Sequence, residues 1–231
     1  MQRPAFIKLI QYCLERMSYK KKVARLFDVD KAQVADLYKE ILDSGFYRDL
    51  INKAGVKNGF FDFNMSMVLR APTLYVICRI MKPENVVETG VADGFSSAFI
   101  LKALASNRKG RLFSIDLPNE PGHELGAGRN TGWLIPEDLK SRWTLTYGPS
   151  KEKLPQLLVD LKTTDIFYHD SDHSYGNMYF EMREVIGSLK KNGVMICDDT
   201  TDNSAFSDFS KENGLIPNRL FKFGIILNRT K

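Results

Sequence analysis

Four carboxylates and a histidine in two short stretches of the chain could do acid–base chemistry or bind a metal ion. They are Asp170, Asp172 and His173 in "HDSDHSY", and Asp198 and Asp199 in "CDDT". Carboxylates that meet at one site repel each other unless a proton or a hard cation relieves them, and such oxygen ligands suit Mg²⁺, Ca²⁺ or Mn²⁺. A neutral imidazole can accept a hydroxyl proton near pH 7, so His173 is the candidate base. The alternative is that these acids cap loops and helix starts, and that His173 only fixes a loop.

A second stretch, "VVETGVADGFSS", could bring the backbone close to a ligand. Its apolar run ends in Glu88, and Gly90 and Gly94 follow. A dinucleotide-binding turn would read GxGxxG, but the third glycine is missing and Asp93 would put a negative charge beside a pyrophosphate. Asp116 lies about 20 residues beyond the last glycine, as expected for an acid that binds ribose hydroxyls. The pattern therefore predicts a ligand with a ribose but no pyrophosphate, such as S-adenosylmethionine.

Strand-like and helix-like segments alternate from residue 84 onward. The strand-like runs are 85–89, 111–116, 142–148, 165–170 and 193–199. The helix-like segments between them are 95–106, 153–162, 175–190 and 203–212. This alternation predicts an α/β fold with a doubly wound, mostly parallel sheet. The last run, 220–229, predicts either one long strand or an antiparallel hairpin that closes the sheet. Ligands of such sheets bind at the carboxyl ends of the strands, where the acidic residues named above fall.

From Glu88 to Asp199 the sequence resembles the class I S-adenosylmethionine-dependent methyltransferases. The most similar branch is the small-molecule type whose fourth strand ends in an "IDGDHSY"-like motif, and "YHDSDHSY" stands here at 168–175. The resemblance covers roughly residues 66–230 and implies a Rossmann-like methyltransferase fold and O-methylation. It implies that the glycine loop cradles the methionine part of the cofactor and that Asp116 holds the ribose. The cofactor-binding residues on this basis are Glu88, Gly90, Val91, Gly94, Ser96, Asp116, Ser150 and Asp170.

The same resemblance implies a metal site and a catalytic pair. The catechol and macrolide-sugar O-methyltransferases place a metal on acids at these strand ends, which makes Asp170, Asp198 and Asp199 the expected ligands of Mg²⁺ or another divalent cation. A metal that binds two substrate oxygens lowers the pKa of the one that attacks the methyl group. His173 and Asp170 are the expected catalytic residues, and the expected acceptor is a small hydroxylated metabolite such as a sugar or glycoside.

Two segments could complete the pocket. The family often has an acid after the third strand to reach the adenine amine, but Pro149 stands in that stretch, so the contact falls to the backbone or to Ser150. The glycine-rich segment 119–136 is expected near the cofactor. Trp133 in this segment could stack on a substrate or anchor the loop. His169 is expected to be structural, because side chains alternate along a strand and its side chain therefore points opposite to that of Asp170.

The first 80 or so residues are predicted to be mostly helical, with apolar residues at helical spacing in 4–26, 31–44 and 66–82. We therefore expect an N-terminal helical lid at 1–65 and an S-adenosylmethionine-binding domain at 66–231. By the family resemblance the N-terminal helices would also mediate a homodimer.

Composition excludes few partners. The net charge is +5, and Lys20, Lys21 and Lys22 form a basic run that is typical of a solvated helix face but could contact an anionic membrane surface. The same charge leaves an RNA methyltransferase as an alternative, although no Asn/Asp-Pro-Pro-aromatic signature is present and nucleic acid is not favoured. A catalytically silent binding module is a third alternative, against which the intact acidic cluster argues. Without an apolar run of about 18 residues or a signal peptide, a cytoplasmic location is expected.

Overall fold

The structure, a computed structural model, describes residues 19–55, 65–119, 129–220 and 222–229. The chain forms two compact units, Met1–Met81 and Lys82–Lys231. The predicted lid boundary at residue 65 coincides with the start of the last helix of the first unit, and this division of the chain stays a prediction.

The first unit is helical in its described part, as its sequence pattern predicts. Its helices are α1 (19–27), α2 (Lys31–Asp43), α3 (Phe46–Ala54) and α4 (Met65–Met81). Polar contacts join α2 to α4: the hydroxyls of Tyr38 and Thr73 lie 2.6 Å apart, and Glu40 accepts hydrogen bonds from Tyr75 and Arg79. No helix in the described ranges of the chain is both long and apolar enough to cross a membrane.

The second unit is a seven-stranded sheet with helices between the strands. Its strands are β1 (Asn85–Thr89), β2 (Arg111–Asp116), β3 (Trp143–Tyr147), β4 (Thr164–His169), β5 (Leu189–Cys197), β6 (Asn218–Leu220) and β7 (Phe223–Leu227). Its helices are α5 (Phe95–Asn107), α6 (Ser150–Leu161), α7 (Tyr175–Ile186) and α8 (Ala205–Glu212), and a 3₁₀ helix (Glu137–Arg142) precedes β3.

The sheet has the strand order β3-β2-β1-β4-β5-β7-β6. Strands β1 to β5 run parallel, whereas β7 is antiparallel to both β5 and β6. The doubly wound, mostly parallel sheet predicted from the sequence is therefore confirmed. Of the two alternatives for 220–229, the antiparallel pair of strands is the one observed.

Strand β5 begins four residues earlier than its apolar pattern predicts. The predicted helix 175–190 ends at Ile186, and β5 starts at Leu189, which pairs with Thr164 before a shift in the pairing register. Because the residues between Leu189 and Gly193 are the polar Lys190, Lys191 and Asn192, hydrophobic periodicity does not identify this part of the strand.

The sheet brings four chain segments to one edge. Thr89 pairs with Ile115 on one side and with His169 on the other, and His169 pairs with Cys197. The residues that directly follow these strand ends therefore meet, as the carboxyl ends of neighbouring parallel strands must. Side chains alternate between the two faces of each strand, so that the side chains of Glu88 and Thr89 lie on opposite faces.

Candidate active site

Asp116 pins the glycine loop to the end of β2. Its Oδ2 accepts hydrogen bonds from the backbone N–H groups of Val91 and Ala92, at 3.0 and 2.8 Å. The amide of Gly90 donates to the carbonyl of Ile115 at 2.9 Å. The predicted ribose-binding carboxylate is thus also what holds the loop in shape.

Close packing between loops explains the two glycines of the motif. Gly90 has a φ of +84°, and a Cβ at this position would lie 2.1 Å from the carbonyl oxygen of Asp170. Gly94 has a φ of +83°, and its Cβ would lie 2.7 Å from the Cα of Gly132. The sequence argument attributed both glycines to the approach of a ligand, but contacts within the protein already require them.

A cavity of about 620 Å³ opens beside this loop, a size typical of small-molecule sites. Five of the predicted cofactor residues line it, namely Gly90, Val91, Asp116, Ser150 and Asp170. Pro149 lines it as well, next to Ser150, whose hydroxyl lies 3.3 Å from the side-chain oxygen of Asn177.

Sequence reasoning assigned no role to five further polar residues of the cavity wall, namely Asn119, Thr131, Lys151, Ser171 and Asn177. Thr131 is 6% exposed, and its hydroxyl oxygen has no hydrogen-bond partner among the residues that the structure describes. A buried hydroxyl costs free energy when it is left without a partner. Its place in the wall therefore fits a ligand rich in hydroxyl and carboxylate groups, such as S-adenosylmethionine. The sequence pointed to Thr131 only through its place in segment 119–136, which was expected near the cofactor.

Three predicted cofactor residues, Glu88, Gly94 and Ser96, are not in the cavity wall. The Glu88 carboxylate is fully buried behind the glycine loop and accepts hydrogen bonds from Ser96, Ser97 and Ser114 at 3.1, 2.7 and 2.7 Å. Burial raises the pKa of Glu88 to about 7, because these hydroxyl donors favour the charged form too weakly to offset the lost solvation.

Trp133 anchors its segment to the glycine loop. Its indole N–H donates to the Asp93 carboxylate, and the Arg129 guanidinium lies 4.2 Å from the centre of its ring. The amide of Leu134 also donates to the carbonyl of Asp93, at 3.0 Å. The Asp93 carboxylate, whose charge disfavoured a pyrophosphate in the sequence argument, thus has a partner within the protein.

The acidic cluster at the ends of β4 and β5 separates into two parts. In the first part, Asp170, His173 and Asp198 each offer one potential ligand atom, and these atoms lie within 4.8 Å of one another. Nε2 of His173 is 3.8 Å from Oδ1 of Asp170, whose Oδ2 accepts a hydrogen bond from the Tyr168 hydroxyl at 2.8 Å. Two carboxylates and one imidazole are a donor set that suits a divalent cation such as Mn²⁺.

The other two acids of the cluster have local roles. Asp172 accepts hydrogen bonds from the amide and hydroxyl of Ser174, at 2.9 and 2.8 Å, at the start of α7. Its pKa is lowered, chiefly by the backbone hydrogen bond from Ser174. Asp199 forms an ion pair with Lys222 at 3.3 Å. The structure therefore groups His173, rather than Asp199, with the two other predicted metal ligands.

A fully buried pair, His169 and Glu181, lies beneath this group. Nδ1 of His169 is 2.7 Å from Oε2 of Glu181, and the His169 ring packs edge to face against His173, with centroids 5.4 Å apart. Burial acts to raise the pKa of Glu181, but the hydrogen bond and charge of His169, with hydrogen bonds from Ser150 and Thr89, hold it below its ordinary value.

Comparison with known proteins gives a family and several similar folds. Residues 87–200 match a family described as "Methyltransferase domain". This match confirms the predicted enzyme class, a methyltransferase. A search of curated proteins found no match.

Three similar solved structures illustrate the shared fold. The SAH-bound methyltransferase PaMTH1 of Podospora anserina has a TM-score of 0.54 at 13% identity, over 71% of this chain and 79% of that one. A methyltransferase from Geobacter sulfurreducens has a TM-score of 0.53 at 20% identity, over 69% and 78%. Cofactor-bound Rv0187 from MTB has a TM-score of 0.50 at 16% identity, over 68% and 78%.

Proposed function

We propose that this chain is an S-adenosylmethionine-dependent O-methyltransferase that methylates a hydroxyl group of a small metabolite with the help of a divalent cation. The methyltransferase match over 87–200 supports the reaction class. The SAH and the cofactor bound to two proteins of similar fold support the choice of methyl donor.

One observation carries the proposal further than the fold does. Asp170 both lines the cavity and belongs to the group formed with His173 and Asp198. A place for the methyl donor and a place where an acceptor can lose a proton therefore adjoin one another. Such adjacency is what a transfer between two bound reactants requires, because most of the rate gain comes from their alignment.

The chain's own residues supply binding and proton transfer in this scheme. Bound S-adenosylmethionine would supply a methyl group on a cationic sulfur. Asp116 and Thr131 would hold its polar groups, and the partly exposed His173 imidazole would accept the proton of the acceptor hydroxyl. The His173 side chain is 31% exposed, so that an acceptor can reach it, and the nearby Asp170 carboxylate favours the imidazolium that forms.

Asp170, His173 and Asp198 are also the residues that would hold a divalent cation. The cation would lower the pKa of a bound hydroxyl, whose proton would then pass to solvent, because a His173 nitrogen that ligates the cation cannot also act as the base. The Asp170 and His173 side chains are partly exposed, whereas Asp198 is 3% exposed. The replacement of one expected carboxylate by an imidazole favours Mn²⁺ over Mg²⁺.

Calorimetric titration with S-adenosylmethionine tests the first step, and Asp116→Asn should weaken binding at least tenfold. Absence of binding at millimolar cofactor would refute the proposal. Methyl transfer is then assayed as SAH release across a panel of catechols, sugars and glycosides.

A separate experiment tests the metal. EDTA should abolish turnover and Mn²⁺ should restore it, and Asp198→Asn should lose metal binding while Asp199→Asn keeps it. Full activity in EDTA would remove the metal from the proposal and leave the rest.

The remaining expectations stay predictions: a small hydroxylated acceptor, a homodimer, a cytoplasmic location and contact of the basic N-terminal run with a membrane surface. Of that run, Lys20, Lys21 and Lys22 lie in α1, whereas residues 1–18 fall outside the described residues.

A further inference from the structure

Glu181 is the meeting point of two sets of hydrogen bonds. It lies on α7, is fully buried, and receives donors from β1, from the end of β4 and from its own helix. Four of its donors, each on a separate side chain, are Thr89, His169, Ser171 and Asn177. A buried carboxylate with this many donors is fixed in position, since each broken hydrogen bond would leave a buried polar group without a partner.

The two oxygens of Glu181 face different parts of the site. Oε1 accepts from the Ser171 hydroxyl at 2.8 Å and from the Asn177 amide at 3.0 Å, and both of these residues line the cavity. Oε2 accepts from the Thr89 hydroxyl at 2.6 Å and lies 2.7 Å from Nδ1 of His169.

His169 extends the second set toward the candidate base. Because a carboxylate only accepts hydrogen bonds, the contact with Oε2 places a proton on Nδ1 of His169. The ring of His169 then packs at 87° against the ring of His173. His169 is itself fully buried, so no ligand in the cavity can touch it.

We propose that Glu181 is a positioning residue that links the cavity wall formed by Ser171 and Asn177 to the orientation of His173, through His169. A ligand bound in the cavity would then change the orientation of His173. A change at His173 would likewise alter ligand binding in the cavity, because coupling between two sites is reciprocal. This inference rests on the proposed function for the role of His173, but its test needs neither an acceptor nor a metal.

The test uses the full chain labelled with ¹⁵N-histidine, which has only three histidines, and SAH as the probe. In the wild-type protein, SAH should shift the ring ¹⁵N resonances of the buried His169 as well as those of His173. Glu181→Gln keeps the size of the side chain but offers one acceptor oxygen in place of two. In this variant SAH binding should weaken about three- to tenfold, and the SAH-induced shift at His169 should fall by more than half.

Two further variants make the test decisive. Ser171→Ala removes a single donor on the cavity side and should also reduce the SAH-induced shift at His169, which decides the matter if Glu181→Gln does not fold. Glu184→Gln removes a carboxylate from the same helix, paired there with Arg183 at 3.3 Å, and should match the wild-type protein.

SAH-induced shifts at His169 that equal those of the wild-type protein in both Glu181→Gln and Ser171→Ala would overturn the inference. So would variants in which a lower melting temperature is the only change. SAH that binds the wild-type protein without shifting His169 would overturn it too and leave the proposed function intact. Failure of SAH to bind the wild-type protein would refute both.

Discussion

Two glutamates lie fully buried on opposite faces of the same sheet, and their carboxylates are held in different ways. In the described part of the chain Glu88 accepts hydrogen bonds only from hydroxyls, those of Ser96, Ser97 and Ser114, and burial, together with the charge of Asp170, raises its pKa to about 7. Glu181 meets an imidazole as well, and its pKa lies below the ordinary value although burial acts to raise it. Neutral hydroxyls therefore do not offset burial, whereas a partner that can carry a proton does.

The comparison separates two roles near the cavity. The Glu88 carboxylate can exist without charge near neutral pH, and its hydrogen bonds join β1 to α5 and to β2. The Glu181 side keeps its charge and orients polar groups toward the cavity and toward His173. Four substitutions test this difference.

His169→Phe should cause the largest loss in the free energy of unfolding. It leaves a fully buried carboxylate without its imidazole partner, and loss of one partner of a buried pair costs about 3–5 kcal/mol. Urea denaturation at pH 7 measures the free energy of unfolding. Thr89→Val removes one neutral donor from the same carboxylate and should cost about 1 kcal/mol. Equal losses in the two variants would contradict the special place of the imidazole.

Glu88→Gln should remove a pH dependence from the free energy of unfolding. The unfolded chain releases the Glu88 proton near 4.5, but the folded protein holds it until about 7. The stability that this proton confers is therefore complete below pH 4.5 and is lost as the pH rises to about 7, by up to about 3 kcal/mol. The difference between wild type and Glu88→Gln, measured from pH 4 to pH 8, isolates this contribution, because other groups cancel.

The sign is opposite for Glu181. With its pKa lowered, it contributes stability above the ordinary pKa of about 4.5, and that contribution is lost as the pH falls further. A wild-type protein that gains stability against Glu88→Gln between pH 5 and 7 would show that Glu88 is charged when folded, and the contrast would fail.

Ser97→Ala should lower the free energy of unfolding by an amount that depends on pH. Its hydroxyl donates to Oε2 of Glu88 at 2.7 Å and favours the charged form. Its removal should cost about 1 kcal/mol at pH 8 and less at pH 5, where Glu88 is protonated. Stability measurements at these two pH values check it, and an equal cost at both would mean that the hydroxyl does not sense the charge of Glu88.

Asp199→Asn should give the smallest effect. Asp199 is partly exposed and pairs with Lys222, and such pairs contribute about 0–1 kcal/mol. Thermal unfolding should change by no more than one or two degrees. A loss comparable to that of His169→Phe would show that burial does not separate these acids.

The sequence predicts the sheet well because each strand of a parallel sheet is an apolar run followed by a turn, and both are local signals. It also predicts which strand ends carry acids. It does not predict which of two adjacent acids, Asp198 or Asp199, turns toward His173, since neighbouring residues on a turn differ only in backbone dihedrals. Asp199 has a φ of +48°, which no local pattern specifies.

Contacts between segments that are distant in sequence also cannot be predicted from local patterns. Glu181 falls on a helix among polar and apolar neighbours, and only the packing of α7 on β4 brings it to His169. Asp93 and Trp133 are likewise 40 residues apart in sequence. The hydrogen bond from the Trp133 indole to the Asp93 carboxylate therefore could not be predicted.

The two tryptophans of the chain give the protein its own optical reporters. The indole N–H of Trp143 donates to the Ser114 hydroxyl at 2.9 Å, and that hydroxyl donates to Glu88. The indole of Trp133 donates to Asp93 in the glycine loop. Emission from a Trp133→Phe variant would then follow the ionisation of Glu88, and emission from a Trp143→Phe variant would follow events at the loop. Each signal could be observed in real time, without a label and without knowledge of the acceptor.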